Sequence, residues 1–371
     1  MKAKEISMRI KLEKAQILDG LQKVQSIVNQ RTTLPVLSNI LFKAEEDALT
    51  LYATDIEVSV KTKINATVHE SGATTLPARR ISSIFKELAD QEIELFVDEK
   101  DIATIQSGTA VFKIVGIAED DFPPIPDMQG GKVYSVEQNV FKEMLQKTIY
   151  SASTDETRMI LNGVLVSLKD DIITVVATDG RRLALVEQEL EFPQENEYDF
   201  VIPTKTVNEL TRTLGDEGPL KITILDKKVA FEFGNMLIIS KVIEGNYPNF
   251  RQVIPSQCEL RIPVERESLL TAVKRVALIA KEQQSTVRLS FGSNILEIST
   301  EAQDIGEAHE TIPIKYDGRA INVAFNPDFL MDPLRNLQSD EIFMELTDEL
   351  SPGVMKSNVP FIYVIMPMRI T

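Results

Sequence analysis

The segment Leu12-Glu13-Lys14-Ala15-Gln16-Ile17-Leu18-Asp19-Gly20-Leu21-Gln22-Lys23-Val24 decides the fold, because its pattern is written three times. An apolar residue and Glu open it. Ile17, Leu18, Leu21, Val24 and Val28 then follow at the spacing of an amphipathic helix with one buried stripe. Val136-Glu137 opens a second copy and leads into Phe141, Met144, Leu145 and Ile149. Val264-Glu265 opens a third and leads into Leu269, Leu270, Val273 and Val276. The offsets are 124 and 128 residues.

A second helix recurs in the same order. Leu76-Pro77 precedes Ile81, Ile84, Phe85 and Leu88; Ile202-Pro203 precedes Val207, Leu210 and Leu214; Asn326-Pro327 precedes Phe329, Leu330, Leu334 and Leu337. Proline in a first turn is a legitimate helix start. Pro333 falls inside the third copy's apolar pattern, which predicts a kink or a late start there. Strands repeat too: Leu49-Thr50-Leu51-Tyr52-Ala53-Thr54-Asp55 matches Ile173-Thr174-Val175-Val176-Ala177-Thr178-Asp179, with a weaker echo in Leu296-Glu297-Ile298-Ser299-Thr300. Phe122-Pro123 and Tyr247-Pro248 each close a copy. The remainder reads as short alternating strands, such as Val229 to Phe233 and Ile321 to Phe325. Each copy is therefore an α+β domain with two helices on one side of antiparallel sheet. Turn residues near Gln129-Gly130-Gly131 and Pro255-Ser256-Gln257 set expected domains of 1–129, 130–256 and 257–371.

A chain of 371 residues is too long for one core, which agrees with three domains. Its 43% hydrophobic and 26% charged residues are the balance of a globular protein, and no apolar run approaches the roughly 18 residues of a membrane span. Met1-Lys2-Ala3-Lys4-Glu5 has no signal-peptide character, and the lone Cys258 rules out an internal disulfide framework; both point to the cytoplasm.

The net charge of −16 argues against a polyanion partner only if it is evenly spread. Eleven residues beyond each opening apolar position stands a cation: Lys23, Lys147 and Arg275. Lys23 and Lys147 are expected roughly 200° round the helix from the stripe. On the second helix Arg79 with Lys86, and Lys205 with Arg212, repeat at i, i+7, and Arg335 is the third-copy counterpart one place out of register. A cation opposite a buried stripe is ordinarily just a solvated helix face. Recurrence at equivalent places in an acidic chain favours a shared positive surface. Six helices per chain become twelve in a head-to-tail dimer. At about 10 Å spacing, twelve make a ring with axes on a circle roughly 38 Å across and a hole of roughly 28 Å. Such a hole admits duplex DNA, held by salt-sensitive phosphate contacts without base readout.

The stretches Thr33-Leu34-Pro35-Val36-Leu37, Ala177-Thr178-Asp179-Gly180-Arg181-Arg182-Leu183-Ala184, Glu244-Gly245-Asn246-Tyr247-Pro248 and Tyr363-Val364-Ile365-Met366-Pro367-Met368-Arg369 resemble the β sliding clamps of bacterial DNA polymerase III, over essentially the whole chain. The resemblance implies a three-domain chain that dimerises head to tail around double-stranded DNA. It implies no catalysis, cofactor or metal. The implied partners are the polymerase III alpha subunit, the clamp loader, and other polymerases and repair proteins carrying short motifs anchored by leucine and aromatic residues. It places a peptide pocket at Leu161, Thr178, Gly180, Arg181, Arg182, Leu183, Pro248, Gln252, Val253, Val364, Ile365, Met366, Pro367, Met368 and Arg369, an adaptable apolar floor with arginine at the rim. Taken alone, Val364 to Met368 is simply a last core strand, and the two readings are compatible. Gln252 stands where many members carry Arg, and Met159-Ile160 stand where some carry aromatics. Ring contacts carry over onto Phe112 and Ile114, and onto Leu278, Ile279 and Glu307; DNA contacts onto Arg31, Arg79, Lys205 and Arg212. Met1 to Ser7 precede the family's usual start at Met8-Arg9-Ile10 and are expected to be disordered.

Two rivals remain. An enzyme would need a site, and the chain has no P-loop (Gly130-Gly131-Lys132 lacks its spacing), no G-x-G-x-x-G, no G-x-S-x-G and no C-x-x-C. His69 and His309 have no second ligand at metal-site spacing, and Cys258 lacks an activating pattern. Asp55 and Asp179 recur at equivalent positions, as turn residues do. The other rival is a protein-binding repeat scaffold without DNA, against which the helix-face cations argue.

Overall fold

The computed structural model describes residues 6–28, 32–89, 91–192, 197–280, 286–302 and 305–369. The first repeat runs β1 (Ile6–Glu13), α1 (Lys14–Val24), β2 (Asn39–Glu45), β3 (Ala48–Thr54), β4 (Val58–Asn65), β5 (Thr67–Glu70), β6 (Gly72–Pro77), α2 (Ala78–Glu87), β7 (Glu92–Asp98), β8 (Ile102–Ser107) and β9 (Ala110–Val115). The second runs β10 (Lys132–Glu137), α3 (Gln138–Gln146), β11 (Gly163–Lys169), β12 (Ile172–Thr178), β13 (Arg182–Glu189), β14 (Tyr198–Pro203), α4 (Thr204–Thr213), β15 (Pro219–Leu225), β16 (Lys228–Phe233) and β17 (Met236–Lys241). The third runs β18 (Leu260–Glu265), α5 (Arg266–Val276), β19 (Val287–Gly292), β20 (Ile295–Ala302), β21 (Gly306–Pro313), β22 (Ile321–Phe325), α6 (Pro327–Asn336), β23 (Glu341–Leu346), β24 (Gly353–Lys356) and β25 (Phe361–Ile365). The expected order of a helix-bearing half followed by a second helix-bearing half holds in every copy. Only β5 has no counterpart among the described residues.

Two compact units result: Met1–Asn139 with Asn208–Val242, and Val140–Val207 with Ile243–Thr371. Sheets, rather than repeats, set this division. In the first unit a five-stranded sheet has the order β5-β1-β7-β8-β9, and an eight-stranded sheet the order β10-β15-β16-β17-β4-β3-β2-β6. In the second unit an eight-stranded sheet runs β14-β11-β12-β13-β25-β24-β23-β18, and a four-stranded sheet β21-β20-β19-β22. Each eight-stranded sheet is half of one repeat joined to half of the next. The joints are β4 on β17, from Val58↔Ser240 to Thr62↔Met236, and β13 on β25, from Arg182↔Ile365 to Val186↔Phe361.

Helices bury one stripe on these sheets. On α1 it is Ile17, Leu21 and Val24, with Gly20 where a Cβ would lie 2.9 Å from Leu51 and 3.1 Å from Ile64. Glycine there lets the helix approach the sheet closely. On α5 the stripe is Leu269, Ala272, Val273 and Val276, and the Glu265 carboxylate accepts from the amides of Glu267 and Ser268 at the helix start. Asn326 caps α6 in the same way, with Pro327 in its first turn.

Three expectations change. α6 starts at Pro327 and runs to Asn336 through Pro333, so the helix has no late start. Arg335 is not out of register: α4 and α6 are both offset by 123 residues, which carries Arg212 onto Arg335. Strand β1 already begins at Ile6, and Ser7 Oγ donates to the carbonyls of Val97 and Asp98 at 3.2 Å, so Ile6 and Ser7 are ordered strand. No helix among the described residues is long and apolar enough to cross a membrane.

Candidate functional site

The β13–β25 joint carries an apolar cluster on one face. Leu183 and Leu185 of β13 and Val364 of β25 sit with Leu165, Val176 and Val201, and Ile160, Ile243, Tyr247, Phe250, Ile254 and Ile362 pack against them. Side chains alternate across a strand, so their neighbours Arg182, Ala184, Tyr363 and Ile365 point to the opposite face. The approach to the cluster is a tight turn. Asp179 Oδ1 accepts from the amides of Arg181 (2.8 Å) and Arg182 (3.0 Å), while Thr178 Oγ1 accepts from the amide of Gly180 and donates to the Arg182 carbonyl (2.6 Å). Gly180 adopts φ +86°, the left-handed region that glycine enters without strain. The Met366 amide donates to the Arg181 carbonyl at 2.9 Å, so the C-terminal segment is fastened to that turn.

Around this cluster the expected pocket residues divide. Leu183 and Val364 belong to it, Thr178 pairs with Leu183 on the same face, and Leu161 is buried, while Gly180, Arg181, Pro248, Gln252, Val253 and Met366 are exposed. Pro367 is half-buried and Arg369 exposed beside them. Three placements are corrections. Arg182 is no rim arginine: its side chain is only 11% exposed and is held by Asp179 and Asp332 on the far face. Ile365 is fully buried there as well. Met368 also turns away, its amide donating to the Ala324 carbonyl at 2.7 Å and its sulfur accepting from Thr286 Oγ1. Phe250, Tyr247, Ile254 and Leu185 complete the wall without having been anticipated. The period-two run Leu183-x-Leu185 was the available signal.

The helix-face cations are more heavily engaged than a solvated stripe implies. Lys23 bonds Asp19 at 2.7 Å, and Arg275 pairs with Glu310, whose carboxyl it holds below the usual range. Arg212 pairs with Glu209 and also donates to the carbonyls of Gln22 (3.2 Å) and Lys23 (3.1 Å), serving the last turn of α1. Lys147 contradicts the expectation. It lies one residue past the end of α3, is 6% exposed, and turns its ammonium to Glu143 instead of to solvent. Arg79 and Lys86 are exposed on α2 without an ion pair among the described residues, and Lys205 is exposed on α4. Arg80 and Lys274 are also exposed, beside Arg79 and Arg275, and repeat spacing does not single them out, since neither recurs at equivalent positions. Arg31 lies outside the described residues.

Family models for the DNA polymerase III beta subunit match in three consecutive pieces: the N-terminal domain at 8–126, the central domain at 135–249 and the C-terminal domain at 251–369. The chain belongs to this family. The beta sliding clamp of Chlamydia muridarum is 32% identical over 363 residues, covering 98% of this chain and 99% of the relative. That of Bacillus subtilis is 30% identical over 376 residues, covering 98% and 100%. The crystal structure of the B. subtilis DNA polymerase sliding clamp superposes with a TM-score of 0.94 at 29% identity, over 98% of this chain and all of that one. A Bartonella birtlesii sliding clamp bound to griselimycin superposes at 0.93 with 31% identity, over the same shares. The protein is thus a DNA sliding clamp, a non-catalytic processivity subunit of DNA polymerase III with the three-domain clamp fold.

In keeping with a non-catalytic role, the residues that recur as acids are structural. Asp55 accepts from the amides of Glu57 and Val58, as Asp179 does from Arg181 and Arg182. Burial, then Glu345, pushes the Cys258 thiol up, away from the reactive thiolate. The residues expected at ring contacts lie on two outer strands and just past α5. Phe112 is 38% exposed on β9 with Ile114 buried beside it, Glu307 is exposed on β21, and Leu278 is 80% exposed past α5 with Ile279 half-buried.

Proposed function

We propose that two copies of this clamp close head to tail into a ring around duplex DNA, and that the cluster on the β13–β25 joint takes short partner peptides. The observation that carries the ring is a strand pairing made twice and left unmade a third time. In each joint the fourth strand of one repeat's first half meets the last strand of the next repeat: β4 with β17, β13 with β25. The third such strands are β21 and β9, each an outer strand of its sheet. Three of the other outer strands are covered: Thr75 of β6 exchanges bonds with Ile117, Val201 of β14 accepts from Ile243, and Ala324 of β22 accepts from Met368. A bare apolar edge, with Val111, Phe112 and Val115 exposed, is a template for another strand.

Ladder registers within the chain support one way for the third pairing to run. They carry Ser240 and Ile365 onto Ile114, and Val58 and Arg182 onto Gly306. Between copies this gives Ile114↔Gly306, Lys113↔Glu307, Phe112↔Ala308 and Val111↔His309. The faces agree: Phe112 and Ala308 both stand opposite core-facing residues, Ile105 and Thr300. A slip of one residue would invert that agreement. Lys113 opposite Glu307 adds roughly 0.2–1 kcal/mol and orients the pairing.

Arg79, Lys86, Lys205, Arg212, Lys23 and Arg275 are the candidate phosphate contacts, with Arg31 added by family resemblance and Lys147 withdrawn. The repeats are taken as 1–129, 130–256 and 257–371, and the setting as the cytoplasm. Partners are the polymerase alpha subunit, the clamp loader, and further polymerases and repair proteins whose motifs bring leucine and aromatic side chains to the cluster. The griselimycin complexes of related clamps support that site. The test is retention on DNA: a loaded ring stays on a nicked circle and leaves once the circle is cut. Retention indifferent to linearisation overturns the encircling ring. Lys113→Glu should weaken the dimer measured by sedimentation, and Glu307→Lys in the same chain should restore it; no restoration overturns the register.

A further inference from the structure

The pocket occupies one face of the β13–β25 joint, and the other face is bonded to a single turn of α6. Arg182 Nη1 donates to Asp332 Oδ2 at 2.5 Å, and its guanidinium lies 4.2 Å from the centre of the Phe329 ring. Tyr363 Oη donates to the Phe329 carbonyl at 2.8 Å. That carbonyl is the one Pro333 leaves unserved, since the residue four places along a helix normally donates to it and proline has no N–H. Tyr363 is fully buried, and the Tyr150 ring packs on it with centroids 6.0 Å apart.

We propose that the α6 turn from Phe329 to Pro333 is a rear mount that positions the peptide pocket, Asp332 holding β13 through Arg182 and the Phe329 carbonyl, freed by Pro333, holding β25 through Tyr363. The inference rests on the pocket reading above. Each pocket strand has one polar handle on the mount, one residue away from a groove-lining side chain: Arg182 beside Leu183, Tyr363 beside Ile362 and Val364. Arg182 also belongs to the pocket turn through its own amide and carbonyl, so its side chain ties that turn to α6. Buried polar contacts of this kind tolerate little displacement. The arrangement is particular to the third repeat. The offset of 123 places Thr206, Glu209 and Leu210 on α4 where α6 has Phe329, Asp332 and Pro333, and Glu209 serves Ser26 and Arg212 instead.

The test is a double-mutant cycle on the intact dimer, with griselimycin as the probe and titration well below the unfolding temperature. Tyr363→Phe strips the Phe329 carbonyl of its donor and should weaken binding about tenfold, the equivalent of one lost hydrogen bond. Pro333→Ala returns an N–H to that carbonyl. In its background Tyr363→Phe should cost less than about twofold. Arg182→Met should also weaken binding, and Arg182→Lys should recover part of it. Additive losses around the cycle overturn the mount. So does a Tyr363→Phe chain that melts earlier yet binds as well as wild type, which is what a merely structural role produces. Wild type that takes no griselimycin overturns the pocket reading, and the mount with it.

Discussion

The chain builds the same joint twice, and only one of the two is an open apolar site. At the first, Val36, Leu37, Leu41 and Phe122 cluster with Tyr52, Ala73 and Ile117 beside them; at the second stand Leu165, Val176, Leu183, Leu185, Val201 and Val364. Repeat equivalence carries Leu41 onto Leu165, Tyr52 onto Val176 and Ile117 onto Ile243. The turns agree bond for bond. Thr54 and Asp55 hold Ile56, Glu57 and Val58 as Thr178 and Asp179 hold Gly180, Arg181 and Arg182. The difference lies in side chains on the groove face: Tyr52 for Val176, Ser59 for Leu183, Lys61 for Leu185. The Lys61 ammonium stands 5.4 Å from the Tyr52 ring centre. A ring and a cation fill and wet the first joint, where two leucines keep the second apolar. The repeated backbone supplies two frames, and side chains on the groove face choose between them.

The sharpest way to break this comparison is to give the second joint a residue of the first. Leu183→Ser removes a side chain that is 2% exposed, at a cost of about 3 kcal/mol in unfolding free energy. It should also weaken griselimycin binding at least about thirtyfold, while sedimentation shows the dimer retained. Binding that survives places the site elsewhere.

Next in size is the contrast between the two turn aspartates. Asp55→Ala loses the turn bonds from the Glu57 and Val58 amides, worth about 1–2 kcal/mol. Asp179→Ala loses the same bonds and also Arg182 Nε at 3.1 Å, a partly buried pair whose breaking brings the cost to about 3 kcal/mol. An Asp179→Ala shift in urea unfolding of no more than about 2 kcal/mol, the turn bonds alone, would mean that Arg182 leans on Asp332 alone.

A gain is expected in the opposite direction. Tyr52→Val with Ser59→Leu and Lys61→Leu should open the first joint and raise griselimycin stoichiometry from one per chain toward two, with the new site the weaker. Calorimetric titration reads this directly. A stoichiometry that stays at one assigns the difference to Thr75, which stands where the second joint has Val201 and bonds the Ile117 carbonyl at 2.9 Å.

Much of this was legible in the sequence because helix stripes and turn residues are local signals. The three helix pairs, the paired aspartates and strands such as Ile321 to Phe325 follow from spacing alone. What failed depended on distant partners or on strand parity. The runs Arg181-Arg182-Leu183 and Val364-Ile365-Met366 read as continuous motifs, yet a strand sends alternate residues to opposite faces. Parity alone could have removed Ile365 from the pocket. For Arg182 the deciding partner, Asp332, lies 150 residues away. For Lys147 helical spacing carries no information, because it lies one residue past the helix end, where the chain turns and buries the ammonium. The broken sheet edges were invisible for a similar reason: an outer strand looks like any other until its neighbours are known.

The smallest expected effect tests the turn itself. Ile56 takes φ +80° where its counterpart Gly180 takes +86°, and a β-branched side chain in that region crowds its own backbone. The cost is roughly 1–2 kcal/mol, and the turn absorbs it through the bonds of Thr54 and Asp55. Ile56 is 49% exposed, so replacing it forfeits little packing. Ile56→Gly should therefore relieve the strain, partly offset by the roughly 0.5–1 kcal/mol of extra freedom glycine gives the unfolded chain. A net stabilisation of about 0.5–1 kcal/mol in urea unfolding is the expected outcome. Gly180→Ala should move the other way by about 1 kcal/mol, since it adds a Cβ at positive φ and brings it 3.3 Å from the Arg158 guanidinium. If both changes destabilise, the two turns do not share one conformational requirement, and the side chain of Ile56 holds the first joint in a way its exposure conceals.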